Sequence, residues 1–400
     1  MENIRVLELY SGIGGMHYAL KESGVRACVV AAVDINPTTN QIYKHNFPDT
    51  PLWNKTIEGI PLDDFNKLDF DMILMSPPCQ PFTRIGRQGD IQDPRTKSFL
   101  YVLDLLPRLH RLPHWILLEN VKGFETSSAR ECMVKTLEQC GYEFQEFLIS
   151  PTCVGIPNSR LRYFMIAKIP AENSTLLTSM NLDEKIERIL SDMKLDCDTE
   201  KELPKASALI SAGQQEGEVK KGHVLYKLET ASDAQRKTNQ NKDHNIRQIQ
   251  DFLEPEPEKN MEQYLLSPKT LLRYALLLDI VKPTCRRSVC FTKGYQRYVE
   301  GTGSVLQGCM STQLESVFTD LEQCSEEEKL QRLLKLKLRY FTPREVGNLM
   351  GFPHSFSFPA QTSLRQKYKA LGNSLNVLVV ASLLQILLSN TLDMSLKNKN

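Results

Sequence analysis

The sequence has no apolar run approaching the roughly 20 residues that a membrane-spanning helix requires. Its most continuous candidate, Tyr274-Ala275-Leu276-Leu277-Leu278, is short and begins beside Arg273. Neither sign of charge is in excess: 49 Lys and Arg stand against 48 Asp and Glu, for a formal net charge of +1. A polyanionic ligand would therefore have to be met by a local basic surface, not by a global field. Ten cysteines are scattered over 400 residues without the density of a disulfide framework. We read them as reduced thiols and expect a cytosolic or nuclear setting. The spacing Cys285-x4-Cys290 has no second Cys or His pair close by, so no metal centre is expected. Internal repeats are missing, and so is a full G-x-G-x-x-G fingerprint. Met1 to Tyr10 carries Glu2 and Glu8 and reads as a first strand, so no signal peptide is expected.

What is present is a thiol on an unusual mount. Ser76-Pro77-Pro78-Cys79-Gln80 follows the apolar run Phe70-Asp71-Met72-Ile73-Leu74-Met75. Two prolines fix φ and remove backbone donors, so the turn that carries the sulfur has few alternative shapes. A cysteine that merely fills a core needs no such turn. Forty residues after Cys79, a second run, Trp115-Ile116-Leu117-Leu118, ends in Glu119-Asn120-Val121. A nucleophile and an acid would then share one rim of a parallel sheet, where open α/β folds build their sites. That pairing suggests covalent catalysis at an electrophilic carbon with protonation of a neighbouring atom.

The first 170 residues repeat one rhythm of apolar strand, functional tip and helical pattern. Arg5-Val6-Leu7-Glu8-Leu9 leads to Tyr10-Ser11-Gly12-Ile13-Gly14-Gly15 and a helix from about Met16. Val29-Val30-Ala31-Ala32-Val33 leads to Asp34 and a helix through Ile42-Tyr43; Tyr163-Phe164-Met165-Ile166-Ala167 is a further strand. The alternation predicts a doubly wound, mostly parallel sheet. We assign 1–170 to a catalytic and cofactor-binding domain completed by 340–392, with the apolar helix Leu375 to Leu388 packing back on it. Residues 171–260 read as a polar insertion, mobile in part from about Asp196 to Gly222. Residues 261–339 form a smaller recognition domain, and 393–400 a tail.

The glycine turn at Gly12, Gly14 and Gly15 lets a ligand approach bare backbone. Asp34, twenty residues beyond Gly14, sits where a carboxylate can accept both hydroxyls of a ribose. Such a pairing fits a nicotinamide dinucleotide or S-adenosylmethionine, and a plain strand-to-helix turn beside a helix cap would look alike.

Taken together, Leu9 to Gly15, Ser76-Pro77-Pro78-Cys79-Gln80-Pro81-Phe82, Glu119-Asn120-Val121, Arg160-x-Arg162, Thr342-Pro343-Arg344-Glu345 and Gly372-Asn373-Ser374 resemble the DNA (cytosine-5) methyltransferase family over nearly the whole chain. Cys290-Phe291-Thr292 and the short N-terminus resemble the branch that methylates transfer RNA for aspartate. Asn158 departs from the glutamine usual in DNA-specific members. The resemblance implies a class I S-adenosylmethionine-dependent fold with a smaller target-recognition domain. It makes Cys79 the nucleophile at carbon 6 of cytosine and Glu119 the proton donor to ring nitrogen 3, with Arg160 and Arg162 orienting Glu119 and the base. It places the cofactor against Ile13, Gly14, Gly15, Asp34, Ile57, Glu58, Ser76, Asn373 and Ser374. Free cysteine titrates near ~8.5, so proton loss must be coupled to attack or the value lowered.

Reaction on a base needs both ring faces, hence extrusion from the stack. Pro81 to Asp90, with Arg84 and Arg87, reads as a lid over it. Arg286, Arg287, Lys293 and Arg297, interleaved with Phe291, Tyr295 and Tyr298, compose a cluster suited to loop RNA, and Cys290 reads either as a residue near that RNA or as a structural thiol. The expected partner is tRNA, with DNA as the rival substrate. An oxidoreductase would leave Cys79 and Glu119 unused. A binding scaffold without turnover would not need the complete catalytic set.

Overall fold

A computed structural model describes residues 3–82, 89–170, 231–255 and 261–397. Seven strands form the main sheet: β1 (Ile4–Leu9), β2 (Ala27–Val33), β3 (Leu52–Trp53), β4 (Met72–Met75), β5 (Trp115–Val121), β6 (Glu143–Ile149) and β7 (Arg162–Lys168). Their order is β3-β2-β1-β4-β5-β7-β6. The first five run parallel, and β7 lies antiparallel between β5 and β6. A doubly wound, mostly parallel sheet is therefore what the chain forms. Alternate residues serve opposite faces: Val6, Leu74 and Leu117 enter one apolar cluster, and Leu7, Ile73 and Leu118 the other. Helices cover both faces, which explains why these strands read as unbroken apolar runs. Strand order reverses around β1 and β4, so the tips carrying the glycine turn and Cys79 flank the crevice.

Helices α1 (Gly15–Glu22), α2 (Pro37–Asn46), α3 (Leu62–Leu68), α4 (Lys97–Leu105) and α5 (Ser128–Gln139) complete this half. Asn36 caps α2 by accepting from the amides of Thr38 and Thr39, with Pro37 preset in the first turn. The smaller unit holds α6 (Ala231–Lys242), α7 (Pro268–Tyr274), the strands β8 (Ile280–Val281), β9 (Val305–Gln307) and β10 (Leu338–Arg339), α8 (Leu314–Phe318) and α9 (Glu326–Leu334). Expectation and structure differ at the supposed polar insertion. Ile246, Ile249 and Phe252 are buried, because that short stretch supplies apolar side chains to the smaller unit. Residues 171–230 and 256–260, including the segment expected to be mobile, lie outside the described residues.

The chain returns through α10 (Pro343–Leu349), α11 (Leu364–Asn373) and α12 (Val377–Lys397). Thr342-Pro343-Arg344-Glu345 is a helix start: Thr342 and Glu345 cap each other's backbone amides. Leu364–Leu388 is long and apolar enough to resemble a membrane span, yet it is two helices and mostly buried inside the protein. In α12, Val377, Val380 and Leu384 are core residues, and Gln385 Nε2 donates to the Ser23 carbonyl at the end of α1.

The joint between the two units is glycine-tight. A Cβ on Gly372 would lie 2.2 Å from the Lys293 nitrogen and 2.2 Å from the Thr292 carbonyl carbon. Those neighbours are backbone and cannot rotate away. Gly372→Ala should therefore cost about 1–3 kcal/mol, the usual range for overpacking. Urea unfolding should show it as a lower midpoint; an unchanged midpoint would mean the joint is loose.

Candidate active site

Cys79 is mounted by four contacts. Beyond β4, Ser76 Oγ donates to the Tyr10 carbonyl (3.3 Å) and Asn120 Nδ2 to the Pro77 carbonyl (3.4 Å). The Cys79 carbonyl accepts from the Phe82 amide (3.0 Å), closing the turn Gln80–Phe82. The Phe82 ring sets its edge against Phe124, and a Cβ on Gly123 would meet the Phe82 carbonyl at 2.8 Å. Asn120 is thus a positioning residue: it ties the strand carrying the acid to the turn carrying the thiol. Cys79 is half-buried.

Register pairs Met75 of β4 with Leu118 of β5, so Glu119 emerges beside the cysteine turn. Its side chain is 12 % exposed, and Arg162 Nε stands 3.6 Å from Oε1. Burial raises the Glu119 carboxyl, while Arg162 and Arg160 oppose the rise. Burial also raises the Cys79 thiol and the Glu119 charge adds to it, with Arg162, Lys293 and Arg160 pulling the other way. Both groups therefore favour holding their protons at rest. The Glu119 charge acts on the Cys79 thiol, and both side chains reach solvent.

One expectation needs correction, and another is narrowed. Arg160 does not orient Glu119. It is 4 % exposed, and its guanidinium donates to Cys290 Sγ (3.2 Å) and the Phe291 carbonyl (3.0 Å) through Nη1. Through Nη2 it donates to the carbonyls of Gly372 (3.2 Å) and Ser374. Orientation of Glu119 falls to Arg162 alone of the pair. Of the two readings of Cys290, the structural thiol is the one its contacts match: it faces inward, with Arg162 Nη2 3.7 Å from its sulfur. Burial pushes the Cys290 thiol up, but the two guanidinium groups outweigh it and bring the thiol below its ordinary value.

The cluster itself divides. Arg287 is spent internally on Asp279 (2.7 Å), which also pairs with Lys237 of α6. Arg286 donates to the Ile246 carbonyl. Both side chains turn into the smaller unit, where Asp279 links Arg287 to α6 and the Ile246 carbonyl links Arg286 to the loop that follows it. Lys293 is exposed beside the site, and Tyr298, 57 % exposed, lies under the Arg297 guanidinium. Arg84 and Arg87 lie outside the described residues. Asn158 donates to Ser288 Oγ (3.0 Å) and the Val289 carbonyl (3.1 Å), holding the smaller unit to the sheet.

On the other side of the crevice, a Cβ on Gly14 would run into Phe47 (2.4 Å), and one on Gly15 into Ser374 Oγ (2.9 Å). In front of Gly12 the nearest atom stands 3.9 Å away. The turn is packed behind and open in front, which fits a ligand lying on bare backbone. Asp34 accepts from the amides of Gly12 (2.9 Å) and Asn36 (2.8 Å), one on each oxygen, leaving a lone pair on each for a ribose hydroxyl. Asn36, not Asp34, caps α2. Ile57 is buried, Glu58 is exposed nearby, and Ser76 and Ser374 stay partly open with Asn373 exposed. Sequence reasoning missed Ile35, whose side chain is 61 % exposed beside Asp34 and offers an apolar cover for a purine. Its signal was a β-branched residue stranded between Asp34 and Asn36. Tyr10 was also missed; its φ of 57° is unusual for a residue with a side chain.

Fold and crevice define an S-adenosylmethionine-dependent methyltransferase. The family model described as C-5 cytosine-specific DNA methylase matches residues 4–388, and the chain belongs to that family. The human tRNA (cytosine(38)-C(5))-methyltransferase is 55% identical over 97% of this chain and 100% of its own length. A Dictyostelium discoideum protein named DNA (cytosine-5)-methyltransferase is 37% identical over 97% of this chain and 95% of its own. The crystal structure of a DNMT2 mutant from Spodoptera frugiperda superposes with a TM-score of 0.73 at 37% identity, covering 96% of this chain and 99% of that one.

The same two arginines bring the Cys290 thiol below its ordinary value and leave the Cys79 thiol above it. Replacing Cys290 by serine (Cys290→Ser) removes an ionisable neighbour that competes for the two guanidinium groups, and leaves more of their field on Cys79. Cys79 should then react with iodoacetamide at lower pH than in the unaltered protein, read by mass spectrometry of the alkylated peptide. No shift, or an upward one, would mean that Cys290 does not compete for them.

Proposed function

We propose that the protein methylates carbon 5 of a cytosine in the anticodon loop of tRNA, with tRNA for aspartate as the substrate, through a covalent bond from Cys79. The observation that carries this reading is the convergence of Cys79 and Glu119 at neighbouring strand tips, with Arg162 on the carboxyl. S-adenosylmethionine, when bound, supplies an electrophilic methyl group on sulfonium.

The residues divide the work as follows. Cys79 attacks carbon 6, and its proton must leave as the bond forms because the buried thiol holds it at rest. Glu119, raised by burial, delivers a proton to ring nitrogen 3 and drains the charge that attack pushes into the ring. Arg162 keeps that carboxyl aimed and limits the rise. Carbon 5 becomes nucleophilic and takes the methyl group; loss of its proton then expels the Cys79 sulfur. Gly12 to Gly15, Asp34, Glu58 and Ile35 would hold the adenosine.

A loop base is already partly unstacked, which lowers the cost of extrusion. Lys293 beside the site and the exposed Tyr298 under Arg297 favour RNA, as a cation for phosphate and an aromatic face for a splayed base. The curated relatives at 55% identity act, by name, on tRNA, which weighs the same way. The Dictyostelium relative keeps DNA as the second reading.

Incubation with tritiated methyl donor and either total tRNA or duplex DNA separates the two, and bisulfite sequencing of the tRNA locates the base. We expect label in tRNA; label in DNA alone would overturn the assignment. Cys79→Ala should bind S-adenosylmethionine yet give no label and no denaturant-stable RNA adduct. Retained methylation in that variant would remove Cys79 as nucleophile.

A further inference from the structure

Directly behind the cofactor turn lies a chain of ionisable groups for which methyl transfer has no evident use. Glu8 is 0 % exposed in the middle of the sheet. Its Oε2 is 2.7 Å from Tyr43 Oη, and Tyr43 Oη is 2.8 Å from His17 Nδ1. Glu8 Oε1 has no hydrogen-bond partner among the described residues. The His17 ring stacks on Phe47 at 3.7 Å.

Each member belongs to an element that shapes the cofactor site. Glu8 precedes the turn on β1, and His17 follows it on α1. On α2, Asn36, Asn40, Tyr43 and Phe47 recur at helical spacing and so share one face. From that face Asn40 Nδ2 donates to the Asp34 carbonyl (2.9 Å), and Tyr43 and Phe47 press on the back of Gly14. A displacement of α2 therefore moves Asp34 and Gly14 together.

We propose that Glu8, held protonated and linked through Tyr43 to a neutral His17, is a positioning residue that fixes the cofactor turn, and that its ionisation weakens binding of the adenosyl ligand. With both ends neutral, one hydrogen-bond order satisfies the chain. The Glu8 hydroxyl donates to Tyr43 Oη, and Tyr43 donates to His17 Nδ1. Ionisation reverses it: Tyr43 must donate to the carboxylate, and His17 must carry its hydrogen on Nδ1 instead. The reversed chain leaves a charge in an apolar layer within reach of the Asp34 carboxylate, which itself must be ionised to accept ribose hydroxyls.

The surroundings agree with the neutral order. Burial raises Glu8 to about 8, against lowering by the Tyr43 hydroxyl and the His17 backbone amide, and Asp34 adds to the rise. Burial lowers His17 to about 3, and Lys21, whose ammonium lies over the Phe47 ring, acts in the same direction. These groups from α1, α2 and the tip of β2 are the charges that act on the chain; the β4 neighbour of Glu8 is Leu74.

Glutamine mimics the protonated acid, so Glu8→Gln isolates the proton. With S-adenosylhomocysteine as the calorimetric probe, the dissociation constant of the unaltered protein should rise by up to about tenfold between pH 7 and pH 9. That is the limit for one coupled proton titrating near 8. In Glu8→Gln that rise should be absent, after the ligand's own titration, common to both proteins, is divided out. Without ligand, the folded protein keeps a proton between pH 4.5 and 8 that the unfolded chain has released, so its stability falls as pH rises through that window. The melting temperature of Glu8→Gln should therefore gain on the unaltered protein from pH 5 to 8 and then level. Tyr43→Phe keeps the ring behind Gly14 but breaks the chain, and should weaken the ligand several-fold at pH 7. Coincident pH profiles for Glu8→Gln and the unaltered protein, or an unchanged constant in Tyr43→Phe, would overturn the proposal. Neither readout depends on which nucleic acid is methylated.

Discussion

The site depends on one buried cation. Arg160 stands two residues before β7 and directs its guanidinium to a thiol and a carbonyl of the smaller unit and to two carbonyls at the end of α11. Three segments distant in sequence thus converge on one planar donor fork. A lysine could not replace it, since a single ammonium cannot present fixed donors in two directions at once. Removing the guanidinium would take a donor from three carbonyls and a thiol, and each acceptor left buried and unsatisfied costs about 1–3 kcal/mol. Its position explains why Gly372 must be glycine: the carbonyls reach Arg160 only because the backbone around Thr292 and Lys293 approaches without an intervening Cβ.

Arg160 also sets the electrostatics of the crevice. With Arg162 it stabilises negative charge on three groups, Cys79, Glu119 and Cys290, and the three respond differently. Burial outweighs the arginines at Cys79 and Glu119 and is outweighed by them at Cys290. The difference is contact: both guanidinium groups touch Cys290, one lies near Glu119, and neither is hydrogen-bonded to Cys79. A field strong enough to keep Cys79 ionised would also take the proton from Glu119, and the proposed reaction needs that proton on the carboxyl. Placing a second thiol in contact with the arginines, one they draw below its ordinary value, gives part of that field another target.

Much of this was legible in sequence, for a definable reason. The central strands of the main sheet are buried on both faces, so they read as mostly apolar runs, and polar residues gather at their tips. Ser76 to Gln80, Glu119 and Asp34 stood out because they break such runs. Edge elements were harder. β6 alternates partly exposed residues on the sheet margin, and Glu143-Phe144-Gln145-Glu146 carries no clear apolar period. The roles of Arg160, Arg287 and Cys290 were not legible because charge in a sequence does not say which way it faces. Residues far apart in the chain, Asp279 and Gly372 among them, decide that. The stretch around Ile249 and Phe252 was hidden by its polar flanks.

Several motif residues that look chemical are architectural. Thr342 and Glu345 start a helix; Arg344 ties that helix to the carbonyls of Phe352, Pro353 and Phe356; Asn120 secures the cysteine turn; Asn158 and Arg160 join the two units. Direct chemistry on the base needs little more than a thiol, a carboxyl and the guanidinium on that carboxyl. Everything else that distinguishes the crevice brings strand tips, a glycine turn and a distant loop within a few ångströms. The reacting groups could not be held by the sheet alone, because β4 and β5 fix the strand tips but leave the cysteine turn and the recognition loop free. Backbone acceptors, amide donors and missing Cβ atoms supply those constraints. The geometry of the reaction is consequently encoded in the joints as much as in the groups that react.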